Sequence, residues 1–296
     1  STIAALAHSQ VAAHETGYPL PSQNPAATAA CATLSGMHTS EDSTAGNTPL
    51  AYGIDIGGSG IKGAIVELKS GQLHSARQKI ATPQPSTPAA VAETVAEVVD
   101  HHGWDGPVGI TVPAIVRDGI VQSAANIDPS WIGVDAQALF RDHLGGREVV
   151  VLNDADAAGL AEAAHGDPVA RQGAAIFLTI GTGIGLAFLL DGQLFPNTEL
   201  GHLRVKGKEA EHVASSAAKE REDLSFRKWA KRLNRVLATY EKLFNPQVFI
   251  VGGGISRKFE KWGPHLTIDT PVVPAQLRNE AGIIGAAMAV NAHVQP

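Results

Sequence analysis

From Leu50 onward, short apolar runs alternate with stretches in which apolar residues recur every three or four positions. Runs bounded by Gly, Pro or Asn predict strands, and the 3.6-residue period predicts amphipathic helices. Leu50–Ile56 and Ile61–Val66 flank a glycine turn as a hairpin, and a third strand is expected over Leu73–Ile80. Thr87 reads as an N-cap before Pro88, and Val91, Ala92, Val95, Val98 and Val99 share one helical face that Gly103 ends. Val108–Val112 and Glu148–Leu152 have the continuous apolar character of buried strands. They end at Pro113 and at Asn153-Asp154, and an alanine-rich helix follows to about Ala164.

The second half repeats this plan. Ala174–Ile180 and Ile184–Leu190 predict another hairpin, with Asp191-Gly192 as a two-residue turn beyond it. A long loop then carries Glu199-Leu200-Gly201-His202. Ser225 caps a helix whose apolar stripe is Phe226, Trp229, Ala230, Leu233, Val236, Leu237, Tyr240, Leu243 and Phe244. That helix stops at Asn245-Pro246, Gln247–Val251 runs into Gly252-Gly253-Gly254, and an alanine-rich helix closes near Ala292. Strands alternating with helices predict an α/β fold with a mostly parallel sheet. In such folds ligands gather at the carboxyl ends of the strands.

The turn in the first hairpin brings Asp55 to Gly57, Gly58, Ser59 and Gly60, with Lys62 just beyond. Glycine lets backbone N–H groups approach a phosphate closely, and consecutive N–H groups form an anion-binding concavity. A carboxylate beside that concavity repels phosphate unless a divalent cation lies between them. Taken alone, the glycines serve a tight turn equally well. The stretch recurs, however, as Thr179-Ile180-Gly181-Thr182-Gly183-Ile184-Gly185, and each copy leads on to Gly-Gln-Leu, at 71–73 and at 192–194. This repetition predicts duplicated α/β domains that hold one phosphorylated ligand in the cleft between them.

Composition bounds the reading and charge distribution sharpens it. The 296 residues are 44% apolar and 18% charged, enough for two domains with a sizeable core. A single cysteine, Cys31, excludes an internal disulfide framework and a multi-cysteine structural zinc site, and fits a reducing, cytoplasmic setting. No apolar run approaches the ~20 residues that span a bilayer, so no membrane partner is expected. Residues 1–49 contain no Lys or Arg and are rich in Ala, Ser, Thr and Pro, so a mobile tail is expected there. The net charge of −6 disfavours nucleic acid. Between Arg204 and Arg235, however, ten Lys or Arg face five acids, a local balance of +5. Arg227, Lys228, Lys231, Arg232 and Arg235 fall opposite the apolar stripe, either as a solvated face or as an electrostatic track for a long polyanion.

Asp154 is the leading candidate for chemistry. A carboxylate at a strand end can take a proton from a substrate hydroxyl while Asn153 holds a neighbouring one, though Asp154 also suits the N-cap of its helix. Glu199 and His202, three apart around a glycine, have the acceptors and donors that sugar hydroxyls need, or serve structure only. Asn126 and Glu211 are further candidates.

Together these landmarks resemble the ROK family of sugar kinases and repressors. The resemblance runs from about Leu50 to Ala292 through Asp55-Ile56-Gly57-Gly58-Ser59, Gly109–Pro113, Asn126, Asn153-Asp154-Ala155, Gly181–Gly185, Glu199–His202, Gly252–Gly254 and Asn279–Gly282. It implies an actin-like, ribonuclease-H-like fold with 50–163 plus 281–296 as the smaller domain and 164–280 as the larger. It further implies phosphoryl transfer to the 6-hydroxyl of a hexose by a monomer or homodimer, with Asp154 as general base. Asn126, Asn153, Glu199, His202 and Glu211 would hold the sugar. Gly57, Gly58, Ser59, Lys62, Thr182 and Gly183 would surround the donor phosphates, Gly252, Gly253 and Gly254 a nucleotide, and Asp55 would position Mg²⁺ through water. The family's zinc cysteines after the Gly-His and the helix-turn-helix of its repressors have no counterpart here. The loop through Lys206-Gly207-Lys208-Glu209-Ala210-Glu211-His212 is similar to the branch that uses inorganic polyphosphate, several members with ATP as well, on glucose and in some cases mannose. An ATP-only hexose or aminosugar kinase and a non-catalytic sugar sensor are the alternatives.

Overall fold

Two sheets of matching topology form the frame. In the first half, β1 (Leu50–Gly57) and β2 (Gly60–Glu67) make the hairpin, followed by β3 (Gln72–Leu73) and β4 (Gln78–Ile80). Next come α1 (Pro88–Asp100), β5 (Val108–Val112), a small β6 (Val116–Arg117)–β7 (Ile120–Val121) hairpin, α2 (Ala136–His143) and β8 (Val149–Asn153). Helix α3 (Asp154–His165) leads to the second half: β9 (Ala174–Ile180), β10 (Ile184–Leu190), β11 (Gln193–Phe195), and a β12 (Arg204–Val205)–β13 (Lys208–Glu209) hairpin. Helices α4 (Ala210–Ala214), α5 (Ser216–Arg221) and α6 (Phe226–Phe244) follow, then β14 (Val248–Gly252), α7 (Phe259–Trp262), β15 (Val272–Pro274) and α8 (Ala281–Asn291). This computed structural model describes residues 49–125 and 127–293. The expected tail, up to residue 48, and the candidate Asn126 lie outside the described residues.

The sheet orders are β3-β2-β1-β5-β8 and β11-β10-β9-β14-β15. In each, an antiparallel hairpin is extended on one side by the short strand of the Gly-Gln-Leu tripeptide and on the other by two parallel strands. The duplication read from the sequence is therefore a duplication of topology. Both sheets lie in one compact unit.

The hydrophobic clusters stack in layers. Helices α1 and α2 cover the outer face of the first sheet with Val91, Val95, Val98 and Phe140, and α6 covers the outer face of the second with Trp229, Leu233, Val236 and Tyr240. Helices α3 and α8 form a shared middle layer between the sheets. Their alanine and glycine content follows from that position, because only small residues let backbones approach so closely. A Cβ on Gly285 of α8 would lie 1.8 Å from the Ala157 carbonyl oxygen of α3, and one on Gly159 would lie 2.5 Å from the Ala187 side chain of β10. No helix among the described residues is long and apolar enough to cross a membrane.

Local signals held at most boundaries. Thr87 accepts from the Ala90 N–H, Ser225 accepts from Lys228, and Asn245 ends α6 in the left-handed conformation. The single strand expected over Leu73–Ile80 is instead split. Ser75 Oγ accepts from the Ile65 N–H at 3.0 Å while His74 donates to the Ile65 carbonyl, so residues 74–77 bulge and β4 resumes two residues out of step on β2. Leu243, placed on the apolar stripe by its period, is 59% exposed. In that last turn Phe244 takes the inward contact, its ring 5.6 Å from that of Phe188.

Candidate active site

Strands β1, β5 and β8 of the first sheet and β9 of the second end at one cleft, a cavity of about 460 Å³. Gly57, Gly58, Pro113, Asn153 and Asp154 line it from one side, and Thr182, Gly183, Glu199, His202 and Glu211 from the other. Nine of the sequence candidates are thus brought together: Gly57, Gly58, Asn153, Asp154, Thr182, Gly183, Glu199, His202 and Glu211.

Asn153 is the N-cap of α3, and Asp154 is not. The Asn153 carbonyl oxygen accepts from the Ala155 and Asp156 N–H groups at 2.8 and 3.1 Å, while its amide donates to the Ala114 carbonyl at 3.1 Å. This division of labour corrects the capping alternative for Asp154. It leaves Asp154 as the first helical residue, with one oxygen near the Ala155 N–H at 2.9 Å and its carboxylate in the cleft. Burial, with the negative charges of Asp55 and Glu199, pushes its carboxyl up to about 7, the range in which a carboxylate exchanges protons near neutral pH. Two residues on, Asp156 is fully buried. One of its oxygens accepts from Asn197 N–H at 2.8 Å and the other has no partner among the described residues.

Opposite Asp154, Glu199 precedes a single helical turn, Leu200–His202, that presents both predicted side chains. A Cβ on Gly201 would lie 2.0 Å from the Ile184 carbonyl, so only glycine lets this turn sit against β10. Glu199 lies 3.8 Å from His202 Nε2, and Glu209 and Glu211 lie 3.2 and 3.8 Å from His202 Nδ1. Burial alone would lower the imidazole's pKa, but the hydrogen bond to Glu209 and the charges of Glu211 and Glu199 raise it. Burial raises the Glu199 carboxyl, against the opposing effect of His202. Three carboxylates around one imidazole give a bank of acceptors with one donor, a match for adjacent sugar hydroxyls. Glu209 was not among the sequence candidates. Its place two before Glu211 was the available signal in the sequence; its pairing opposite Arg204 is seen only in the structure.

At the other end the two glycine turns face the cleft. A Cβ on Gly58 would meet nothing within 4 Å, and the same holds for Gly181 and Gly254, so these backbones are open to a ligand. The Gly181 turn is fixed from behind, its carbonyl accepting from the Ser216 N–H at 2.9 Å. Gly253, at φ +79°, lies so close to Ile180 that a Cβ would be 2.4 Å from that carbonyl, which sets the third glycine turn beside the second. Ser59, Lys62, Asp55 and Gly252–Gly254 do not line the cavity itself. Lys62 instead reaches across the hairpin to Asp55, Nζ to Oδ2 at 2.8 Å. The other Asp55 oxygen accepts from the Thr111 hydroxyl at 3.4 Å. A half-engaged carboxylate beside an anion-binding turn fits a hydrated Mg²⁺ carried in with phosphates.

The five cations of α6 are divided. Arg232 and Arg235 line a pocket with Lys206 and Lys208 of the β12–β13 hairpin, whereas Arg227, Lys228 and Lys231 are exposed outside it.

The ROK family model matches residues 51–220. The polyphosphate glucokinase of Mycobacterium tuberculosis (strain CDC 1551 / Oshkosh) is 54% identical over 257 residues, covering 87% of this chain and 97% of that protein. Among solved structures, the inorganic polyphosphate/ATP-glucomannokinase from Arthrobacter sp. strain KM superposes with a TM-score of 0.79 at 50% identity, over 83% of this chain and 99% of that one. A ROK family glucokinase from Streptomyces griseus, solved with glucose and AMPPNP, superposes with a TM-score of 0.71 at 26% identity, over 82% of this chain and all of that one. The duplicated sheets, the paired glycine turns and the cleft with Asp154 between them share one origin with these proteins: the chain belongs to the ROK family.

Proposed function

We propose that this chain phosphorylates glucose, and mannose as a second acceptor, at the 6-hydroxyl, with inorganic polyphosphate or ATP as donor and Mg²⁺ as the metal. The observation that carries the reading is Asp154, a carboxylate with its pKa near 7, placed between a bank of sugar-type acceptors and two open glycine turns.

The hexose lies against Glu199, His202 and Glu211, with Asn126 and Asn153 completing its contacts, so that its 6-hydroxyl faces Asp154. The hydroxyl oxygen attacks the terminal phosphorus of the donor. As that bond forms, the bond to the bridging oxygen breaks, releasing ADP or a polyphosphate one unit shorter, and the hydroxyl proton passes to Asp154. Little covalent chemistry falls to the protein in such a transfer; alignment and offsetting of charge do most of the catalysis. Backbone N–H groups of Gly57, Gly58, Ser59, Thr182 and Gly183 receive the phosphates, and Lys62 lies two register positions from the Gly57–Gly60 pair that closes the first turn. Gly252, Gly253 and Gly254 border the remainder of a nucleotide. Asp55 would hold Mg²⁺ through water, and the ion would supply charge neutralisation on the phosphate oxygens. A cytoplasmic setting supplies both donors.

Hexose 6-phosphate formation from glucose and from mannose, with Mg²⁺ and either ATP or nucleotide-free polyphosphate, tests this. Turnover with nucleotide-free polyphosphate, as well as with ATP, is the expected result. Turnover on ATP alone would restrict the chain to an ordinary sugar kinase, and none with either donor would overturn the reading.

A further inference from the structure

The pocket between the β12–β13 hairpin and α6 has no part in the chemistry above. It encloses about 250 Å³, and Lys206, Lys208, Arg232 and Arg235 supply four cations to its walls, with His212 at one side. One carboxylate, Glu222, faces it. That charge is held by Arg232 at 2.6 Å and Arg221 at 3.4 Å, which leaves Lys206, Lys208 and Arg235 as the wall cations without an ion pair among the described residues. Surface lysines and arginines scattered singly mean nothing. Here two separate elements bring them to one concavity, where their fields add.

We propose that this pocket is a second phosphate site, apart from the glycine turns, and that it takes a segment of an inorganic polyphosphate chain. This rests on the donor reading of the preceding section. Three features select a chain over a single anion. The cations approach from a hairpin on one side and a helix on the other, which suits a ligand presenting oxygens in several directions. Arg227, Lys228 and Lys231 extend the positive surface along α6 beyond the pocket's rim. Outside residues 204–235 the protein is acidic, so a long polyanion is repelled elsewhere and attracted here. His212 joins the pocket to the hexose end of the cleft, since its ring lies 3.7 Å from Glu209 and 4.0 Å from Glu211.

Lys206 has φ +51° in the Lys206-Gly207 turn, so asparagine, which tolerates that conformation, removes the charge without straining the hairpin. Long-chain polyphosphate, tripolyphosphate and inorganic phosphate are titrated calorimetrically into the full chain and into the Lys206→Asn/Lys208→Gln variant. The variant is expected to bind the long chain about tenfold more weakly, with a shallower salt dependence, while glucose phosphorylation from ATP is unchanged. Unchanged affinity for the long chain overturns the site. An equal loss for inorganic phosphate reassigns it to a single phosphate group and overturns the chain occupant, and equally tight binding of a DNA oligonucleotide of matched charge reduces it to a general polyanion patch. Arg235→Gln repeats the test from the helix side if the double variant does not fold. Should the wild type turn over ATP but never polyphosphate, the donor reading falls while the titrations still decide the pocket.

Discussion

Asp55 and Lys62 are direct partners in the β1–β2 register and close a 2.8 Å ion pair across the mouth of the first glycine turn. The pair holds the lysine beside the turn and leaves the second carboxylate oxygen to the Thr111 hydroxyl. Lys62→Met is expected to lower kcat by about a hundredfold with either donor, since one charged donor to a transferring phosphoryl group is commonly worth that much. Steady-state kinetics with both donors, beside glucose affinity by calorimetry, checks this. An undiminished kcat would remove Lys62 from the donor site.

Asp154→Asn keeps the size of the side chain and its place in α3, which Asn153 caps independently. Glucose binding should survive within a few-fold while turnover falls by about 10² to 10⁴. Near-normal turnover would end the general-base assignment.

The same carboxyl sets the pH profile. Its pKa is raised to about 7, so it carries a proton below that pH and cannot accept one from the sugar. In the wild type kcat/KM should fall about tenfold per unit below pH 7, and the residual activity of Asp154→Asn should lack that limb. Initial rates from pH 5.5 to 8.5 decide it.

Asp156 makes a separate prediction about stability. Burial, with the neighbouring Asp154 and Glu199 charges, raises its carboxyl from 3.8 to about 7 against the effect of the Asn197 N–H. The folded state therefore retains a proton that the unfolded chain releases, and stability is lost as pH rises from about 4 to about 7. Asp156→Asn removes this loss, so its Tm relative to wild type should be higher at pH 8 than at pH 5. A difference independent of pH in thermal melts would refute it.

Two glycines separate scaffold from site. Gly285→Ala drives a methyl into the Ala157 backbone at 1.8 Å and should cost about 1–3 kcal/mol or more of stability, read as a depressed Tm. Gly58→Ala meets nothing within 4 Å and has no left-handed φ, so its Tm should hold while KM for both donors rises. A Gly58→Ala enzyme with unchanged KM would show that phosphate does not approach that backbone.

How much of this was legible depended on range. The strand-turn-strand repeat with its Gly-Gln-Leu tail was local, and it carried the duplicated topology. Cap residues at Thr87 and Ser225 were local too. Asn153 and Asp154 look alike as caps, and only the hydrogen bonds at the end of β8 show which one is committed. Glu209 joins His202 through a hairpin whose fold the spacing does not reveal. The basic residues of α6 looked like one face, yet lysines from another element decide which of them share a pocket. Leu243 obeyed its period and still faces out, because periodicity says nothing of where the neighbouring sheet ends.

The middle layer has a consequence for the protein's history. Its two helices come one from each half; they meet with no room for a methyl group at Gly285, and α3 sits almost as tightly on β10 at Gly159. The outer helices, α1 and α6, are free to drift apart in composition, and have done so, one acidic and one strongly basic. The seam admits no such divergence: an enlargement on α3 is acceptable only with a matching reduction on α8 or β10. Two copies that began as repeats can therefore specialise at their surfaces, one toward each end of the substrate, while remaining unable to part.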